Sequence, residues 1–506
     1  MILWIGLAYL VVVSVIGAVA TRRTRNAADF FLAGRAVGLV ALSLSIMAGT
    51  LSGFAFIGGP GLLYSVGLGA LFIILPAALT HAMSAWAVGR RLRLLGEIRN
   101  VVTLPGAIGA RYRSPGAQSL AGAAILVAVL GYMATNFLAL GIILDAVLGM
   151  GVTPGIWLGM GVTLAYAAGG GILAGIWTDI FQGLLMAVGS VLIFGFALEA
   201  GGGLGNISTT ILAADPQFLE PWGHLSPLGA FSFYFVFALG ALGQPHVVHK
   251  FFMLRDPAVL RWYPLLTTVA LMATLLLFVG VGLAVKALVI QGAIPPLAEA
   301  DQATPIFLLN FTPPLLAALV LAGAVAAVMS TVNSFMNVGA AALLYDLPAA
   351  WKRRSATEEG RAHSPSNASR GLGTQASHDL GLGRLYTVLL SLAAALIAQL
   401  SGTLVAFLAI FGWGLFASTL VPALAVGLNW EGATRVGALA SIGTGLVVTL
   451  TGESLGYLGV YALPAGVTVS GLSLVLSFLA FFAVSYLTRA SAASGLDPDI
   501  RAMMES

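Results

Sequence analysis

The sequence contains no cysteine, which excludes disulfides, thiol nucleophiles and cysteine-ligated metals. Charge is scarce too. Charged residues make up 8% of the 506 residues, where soluble domains carry about 25%, so the chain cannot clothe a water-facing globule. There are three lysines, and they are followed by Phe251, Ala287 and Arg353. That removes a Gly-Lys-Ser/Thr phosphate loop and an Asp-Lys phosphorylation motif, and with them a nucleotide-driven pump. Paired carboxylates and metal-ligating clusters are also missing, so the chain does not read as an enzyme. What is plentiful is apolar: 59% of residues are hydrophobic, and mean hydropathy is +0.99. The chain reads as an all-α polytopic membrane protein.

The apolar runs divide into thirteen expected spans, near 2–20, 37–64, 68–89, 117–149, 153–171, 180–200, 229–249, 262–291, 314–345, 384–402, 404–428, 433–452 and 464–488. Met1-Ile2-Leu3-Trp4 has no basic region before its apolar run, which predicts a retained first span rather than a cleaved signal. With the N-terminus outside and the C-terminus cytoplasmic, nearly every Arg falls in inner loops, including Arg22, Arg23, Arg90, Arg91, Arg111, Arg353 and Arg489; Lys286 lies near the outer face. Lys250, Arg255 and Arg261 count among the inner positives. This asymmetry accounts for a pI of about 9.4. The neighbour it implies is anionic lipid of a plasma (inner) membrane, and no nucleic acid. The inner loop at about 349–383 is rich in Ser and Gly and reads as a flexible linker. A monomer is the expected working unit.

Two runs are interrupted where a membrane helix should continue. Ala48-Gly49-Thr50-Leu51-Ser52-Gly53 is followed by Gly58-Gly59-Pro60, and a later run carries Gly240-Ala241-Leu242-Gly243-Gln244-Pro245. Gly costs about 1 kcal/mol and Pro about 3 kcal/mol in a helix interior. Within lipid a broken helix is tolerated only where its freed backbone faces protein or a water-filled cavity. Paired broken helices in two halves of a membrane chain point to a transporter binding site.

Several stretches together resemble the sodium/solute symporter family. They are Ala28-Asp29-Phe30-Phe31-Leu32-Ala33-Gly34-Arg35, Phe56-Ile57-Gly58-Gly59, Tyr64-Ser65-Val66-Gly67, Thr103-Leu104-Pro105, Tyr166 with Gly169-Gly170, Trp177-Thr178-Asp179, Gly243-Gln244-Pro245-His246, and Ala327-Val328-Met329-Ser330-Thr331 with Tyr345-Asp346-Leu347. The branches it is most similar to carry proline, pantothenate, monocarboxylates or sialic acid. The resemblance implies a leucine-transporter-like core of two inverted five-helix repeats, each headed by a broken helix. The first repeat would occupy 37–200 and the second 201–430, with 1–36 an extra N-terminal helix and basic loop and 431–506 two C-terminal helices and a tail. The implied activity is sodium-coupled symport of a small carboxylate-bearing organic solute by alternating access, with proton coupling on the same fold as the alternative. An ion channel or a transporter-like sensor are more distant readings.

The resemblance also implies a central sodium site built from the carbonyls of Ala48, Leu51 and Ala327 and the hydroxyls of Ser330 and Thr331. Ala327, Ser330, Thr331 and Ser334 share one helix face by their i, i+3, i+4, i+7 spacing; small and hydroxyl residues on such a face also serve plain helix packing. Asp179 is either a hydrated cap at an inner helix end or, with Ser334, the ligand of a second sodium. Expected solute contacts are Thr50, Ser52, Gly53 and Phe54 at the first break, Tyr132 and Asn136 on the fourth span, and Phe237, Ala241, Gln244 and Pro245 at the second. Ile73 and Ile74 stand where sugar-carrying relatives are polar and argue against sugars. No Arg or Lys is expected at mid-span, so a carboxylate would rest on hydroxyls, amides and nearby sodium.

Overall fold

A computed structural model describes the chain except residues 1, 24–32, 34–35, 100, 352–371, 403–404, 462, 464–466, 490–495 and 506; at several helical positions, among them 166–174 and 372–380, it describes the backbone only. The motif residues Ala28–Leu32, Gly34 and Arg35 therefore lie outside the described residues, as do the side chains at Tyr166, Gly169 and Gly170.

The described residues form no strand beyond one isolated bridge, Val37 to Leu254. The helices in chain order are α1 (Ile2–Arg23), α2 (Leu39–Thr50), α3 (Gly59–Val66), α4 (Leu71–Ser84), α5 (Arg90–Ile98), α6 (Leu104–Arg111), α7 (Pro115–Leu148), α8 (Val152–Ala200), α9 (Leu204–Ala214), α10 (Pro227–Gly240), α11 (Pro245–Val248), α12 (Tyr263–Ile290), α13 (Ala303–Phe311), α14 (Pro314–Ala341), α15 (Leu372–Leu400), α16 (Val405–Val421), α17 (Arg435–Tyr457), α18 (Val469–Thr488) and α19 (Pro498–Glu505). Their starts follow sequence chemistry. Ser114 and Ser226 each precede a proline and accept from the N–H groups of Ala117 and Gly229, while Thr103, Thr434 and Thr468 cap their helices in the same way. Each such cap is worth about 1 kcal/mol.

Ten helical runs among the described residues are long and apolar enough to cross a membrane, and shorter apolar helices stand beside them at Trp4–Ile16, Leu39–Thr50, Val152–Ala165 and Leu204–Ala214. The spans expected at 153–171 and 180–200 are one continuous helix, α8. α15 begins at Leu372, not near Arg384, so the expected linker loses its second half to helix; residues 352–371 lie outside the described residues. The two expected breaks are present. α2 ends at Thr50 and resumes in a π-turn at Phe54–Gly58 before α3. The later run passes from α10 through a 3-10 turn at Ala241–Gly243 and an extended Gln244 into α11.

α8 packs against α1, α2, α7, α12 and α14, and so organises the bundle. Close approach depends on small residues: a Cβ on Gly155 would stand 2.8 Å from Gly141 O, so α7 and α8 touch backbone to backbone. At one face α19 docks on the basic α5–α7 region. Asp497 pairs with Arg99 (2.5 Å) and Arg113 (2.8 Å), and the Arg91 guanidinium donates to Met504 O (3.1 Å).

At the opposite face Asp301, 3% exposed, accepts a hydrogen bond from the first N–H of α16, at Val405 (2.8 Å). Burial pushes this carboxyl up to about 6; the Val405 N–H pulls it down, and Glu299 adds a further upward push. An acid that binds its proton more tightly folded than unfolded weakens the fold as pH rises from its ordinary value through its folded one. Wild type should lose roughly 3 kcal/mol at this site between about pH 4 and pH 7. Asp301→Asn keeps an acceptor for Val405 without the charge. Its melting temperature should exceed that of wild type at pH 8, with the gap closing near pH 4. A gap that does not change with pH would place Asp301 at its ordinary value.

Candidate functional site

In an uninterrupted helix the N–H groups of Ser52, Gly53, Phe54 and Ala55 would bond the carbonyls of Ala48, Gly49, Thr50 and Leu51. Here all of them go elsewhere. Ser52 N donates to Thr50 O (3.1 Å) and Ala55 N to Ser52 O (3.0 Å). Phe54 N donates to Ser52 Oγ (3.2 Å) and Gly53 N to Asn136 Oδ1 (3.0 Å). The carbonyls of Ala48, Gly49 and Leu51 thus lose their helical partners in a fully buried place, since Ala48 is 0% and Leu51 4% exposed. Asn136, expected to touch solute, instead supports the break: its other amide atom donates to Tyr132 O (2.8 Å), and it is buried away from the cavity below.

α14 brings the opposing oxygens. The Thr331 hydroxyl donates to Ala327 O (2.9 Å) and lies 3.3 Å from Gly49 O, so this face of α14 meets the freed carbonyls of α2. Carbonyl and hydroxyl oxygens with no formal charge suit a hard monovalent cation held weakly and reversibly. Ser330, one turn from Ala327, points to Asp179 and donates to its Oδ1.

Asp179 is not an interfacial cap. It is 1% exposed, inside the bundle, and its second oxygen accepts from Ser45 Oγ (2.5 Å) and from the Lys250 ammonium (3.1 Å). Lys250, counted above as an inner-loop positive, is 1% exposed and also donates to Ser45 O (2.6 Å). The expectation that no cation lies at mid-span is therefore corrected. The physical reason is that the helical run does not end at 249 but continues through a buried 3-10 segment, His249–Met253, anchored by the Val37–Leu254 bridge and by Arg93 Nε on Leu254 O (2.5 Å). Gly49 makes room, because a Cβ there would stand 2.9 Å from the ammonium. A sodium about 4 Å from that ammonium would meet repulsion of roughly 4 kcal/mol at an effective dielectric near 20. Ser334 is half-buried one turn beyond Ser330.

Beside the break lies a cavity of about 530 Å³ lined by Thr50, Leu51, Phe54, Ala55, Ile73, Ile74, Tyr132, Phe237, Leu271, Thr274, Leu275, Phe278 and Trp413. Of the expected solute contacts, Thr50, Phe54, Tyr132 and Phe237 line it. Ser52 lies just behind, its Oγ 3.4 Å from the Tyr132 hydroxyl, and Gly53 is occupied by Asn136. Ala241 and Gln244 are fully buried outside the lining; the Gln244 amide donates to Gly240 O (3.1 Å). Pro245 faces a second cavity, of about 470 Å³, with Thr103, His249, Asn337 and Asp346. Asp346 there accepts from Thr103 Oγ1 and Gln118 Nε2, both at 2.8 Å.

Sequence reasoning missed Trp413, Phe278, Thr274, His81, Ser45 and Lys250. Trp413 stacks on Phe237 (5.1 Å), which stacks on Phe54 (6.1 Å), and its indole N–H donates to Val236 O (3.2 Å). Its signal was legible as Gly412-Trp413-Gly414 within an apolar run. The Thr50 hydroxyl donates to Ile46 O (2.8 Å), which leaves His81 Nε2, 3.2 Å away, to act as donor to Thr50. Nothing local marked Ser45 or His81.

A family model described as the sodium:solute symporter family matches residues 30–445. The sodium/pantothenate symporter of Escherichia coli (strain K12) is 28% identical over 482 residues, 94% of each chain. The high-affinity proline transporter PutP of Bacillus subtilis (strain 168) is 28% identical over 492 residues, 94% of this chain and 96% of its own. Among solved structures, a sodium-coupled sialic acid symporter superposes with a TM-score of 0.75 at 19% identity, covering 96% of this chain and 98% of that one. The transporter MhsT, solved with L-phenylalanine, gives a TM-score of 0.51 at 14% identity, covering 88% of this chain and 98% of that one. The fold is thereby the expected leucine-transporter-like one.

The role of Asn136 at the break can be checked directly. Asn136→Ala strands the Gly53 N–H, and a buried donor without a partner costs roughly 1–3 kcal/mol. The expected result is a lower melting temperature with or without solute. An unchanged melting temperature combined with lost solute binding would return Asn136 to the solute site.

Proposed function

The chain belongs to the sodium:solute symporter family, and from that membership we propose that it carries a small carboxylate-bearing solute with a compact apolar body inward with sodium. It is a multi-pass membrane transporter, not an enzyme. The observation that carries the solute reading is the uneven wall of the cavity beside the break. Its polar side chains gather mainly at one end, at Thr50 and Tyr132 beside the unwound turn, while Phe54, Phe237, Trp413, Phe278, Ile73 and Ile74 make the rest apolar apart from Thr274, whose hydroxyl donates to Leu271 O (2.6 Å). A carboxylate fits the first end, where the Thr50 and Tyr132 hydroxyls line the cavity beside the break. A hydrocarbon body fits the other, where sugar hydroxyls would go unpaired. Among relatives, one is named for proline and one for pantothenate; the apolar wall favours the proline-like size and polarity.

The sodium position we assign is the cage of Ala48, Leu51 and Ala327 carbonyls with the Ser330 and Thr331 hydroxyls, and it is supported by the diverted N–H groups of the break. Gly49 O, which faces Thr331, is a further oxygen for that cage. We place the inner side at the face where α19 docks on Arg91, Arg99 and Arg113, which puts the C-terminal helix in the cytoplasm by the positive-inside rule. A monomer suffices for this reading, since both ion cage and cavity are built within one chain.

The substrate reading is tested by a thermal-shift screen of the purified protein against monocarboxylates, zwitterionic amino acids and sugars, each in sodium and in choline. A ligand that binds only the folded state raises its stability by mass action. Acids with apolar bodies should shift the melting temperature in sodium and sugars should not; a sugar hit with no acid hit overturns the reading. The cage is tested by Thr331→Ala. Loss of one charge-assisted contact of about 1.5–3 kcal/mol should raise the sodium concentration for half-maximal stabilisation roughly 10- to 100-fold. An unchanged sodium titration would move the site elsewhere.

A further inference from the structure

The expected second sodium and the observed Lys250 make claims on the same carboxylate. Asp179 offers two oxygens. One takes Ser330, a hydroxyl of the proposed sodium cage, and the other takes Ser45 and the Lys250 ammonium. Both charged side chains are 2% exposed, so neither is balanced by water. A buried charge that loses its partner is strongly destabilising, which fixes the pair as a unit unless another cation replaces the lysine. The ammonium carries the charge of one sodium ion on a flexible stem and, like sodium, binds oxygens as a compact point charge. Its oxygens here are a backbone carbonyl, at Ser45, and a carboxylate. Those are the ligand types a sodium would use.

We propose that Lys250 is a tethered cation that permanently holds the second cation position at Asp179, so that residue 250 sets the number of sodium ions this transporter binds. The wild-type chain then binds one sodium, in the central cage, and the charge of Asp179 is never available to a second. The pair also senses the first ion. When the Ser330 oxygen gives a lone pair to sodium, its proton stays hydrogen-bonded to Asp179, so one hydroxyl links the ion to the pair. Because Lys250 follows α11 and Asp179 lies on α8, the pair ties the second broken helix to the long organising helix at the moment of ion binding. The count of one in wild type rests on the central cage proposed above; the role of residue 250 does not.

The test uses the full-length protein and sodium alone, with choline as the balancing cation. Bound sodium per protein is measured by radiotracer equilibrium binding, and cooperativity by the sodium dependence of thermal unfolding. Wild type should bind one sodium with a Hill coefficient of one. Lys250→Met should bind one more than wild type, with a Hill coefficient above one, and should be less stable than wild type in choline but rescued by sodium. The double variant Lys250→Met with Asp179→Asn removes both charges and should bind as wild type does. Equal sodium counts in Lys250→Met and wild type overturn the proposal, as does a wild type that binds two. If Lys250→Met stays unfolded at every sodium concentration while the double variant folds, the pair is purely structural and the proposal also fails. If wild type and the double variant bind none and Lys250→Met binds one, the central cage is wrong and the tethered cation stands.

Discussion

A helix interrupted inside a bilayer has to place its orphaned backbone groups, and most of this bundle is arranged around one such interruption. Each unsatisfied N–H in hydrocarbon would cost several kcal/mol. At Ser52–Ala55 every one is redirected, to a neighbouring carbonyl, to the Ser52 hydroxyl or to Asn136 on α7. Of the acceptors left over, the Gly49 carbonyl faces Thr331 of α14. The same redirection therefore stabilises the break and frees carbonyls from their helical partners, which is the raw material of a cation site. Local structure, energetics and function meet in a handful of hydrogen bonds.

The charges follow a similar economy. Charge is sparse in the described interior of the bundle, and where a carboxylate does appear its hydrogen-bond donors are built in. Asp179 has Lys250. Asp301 and Asp346 have donors but no cation: Asp301 takes the Val405 N–H, and Asp346 takes Thr103 and Gln118. Three acids in comparable burial thus meet different fates, set by which element happens to face them. Only one of them touches a residue of the proposed sodium cage, and that contact, through Ser330, gives the ion pair a route into coupling.

The solute cavity illustrates how a transporter built of apolar helices still discriminates. Its aromatic ladder of Phe54, Phe237 and Trp413 runs from the first break across α10 to α16. Its polar side chains lie mainly at one end. A symmetric polar lining would welcome polyols; this one favours a molecule that is charged at one end and greasy at the other.

The chain's own pattern was enough to establish an all-α membrane protein, the two broken helices and their positions, the one-sided basic loops, the serine and threonine face of α14, and four of the residues that line the cavity. All of these are local: hydropathy, helix propensity, i to i+4 spacing and capping are properties of neighbours along the chain. What tertiary structure alone decided is which distant groups meet. Asn136 and the backbone of Gly53 are far apart in sequence, as are Lys250 and Asp179, and no periodicity links them. Lys250 was read as a loop charge because it follows an apolar run directly; only the continuation of that run through His249–Met253 keeps its ammonium inside the bundle, against a carboxylate on another helix.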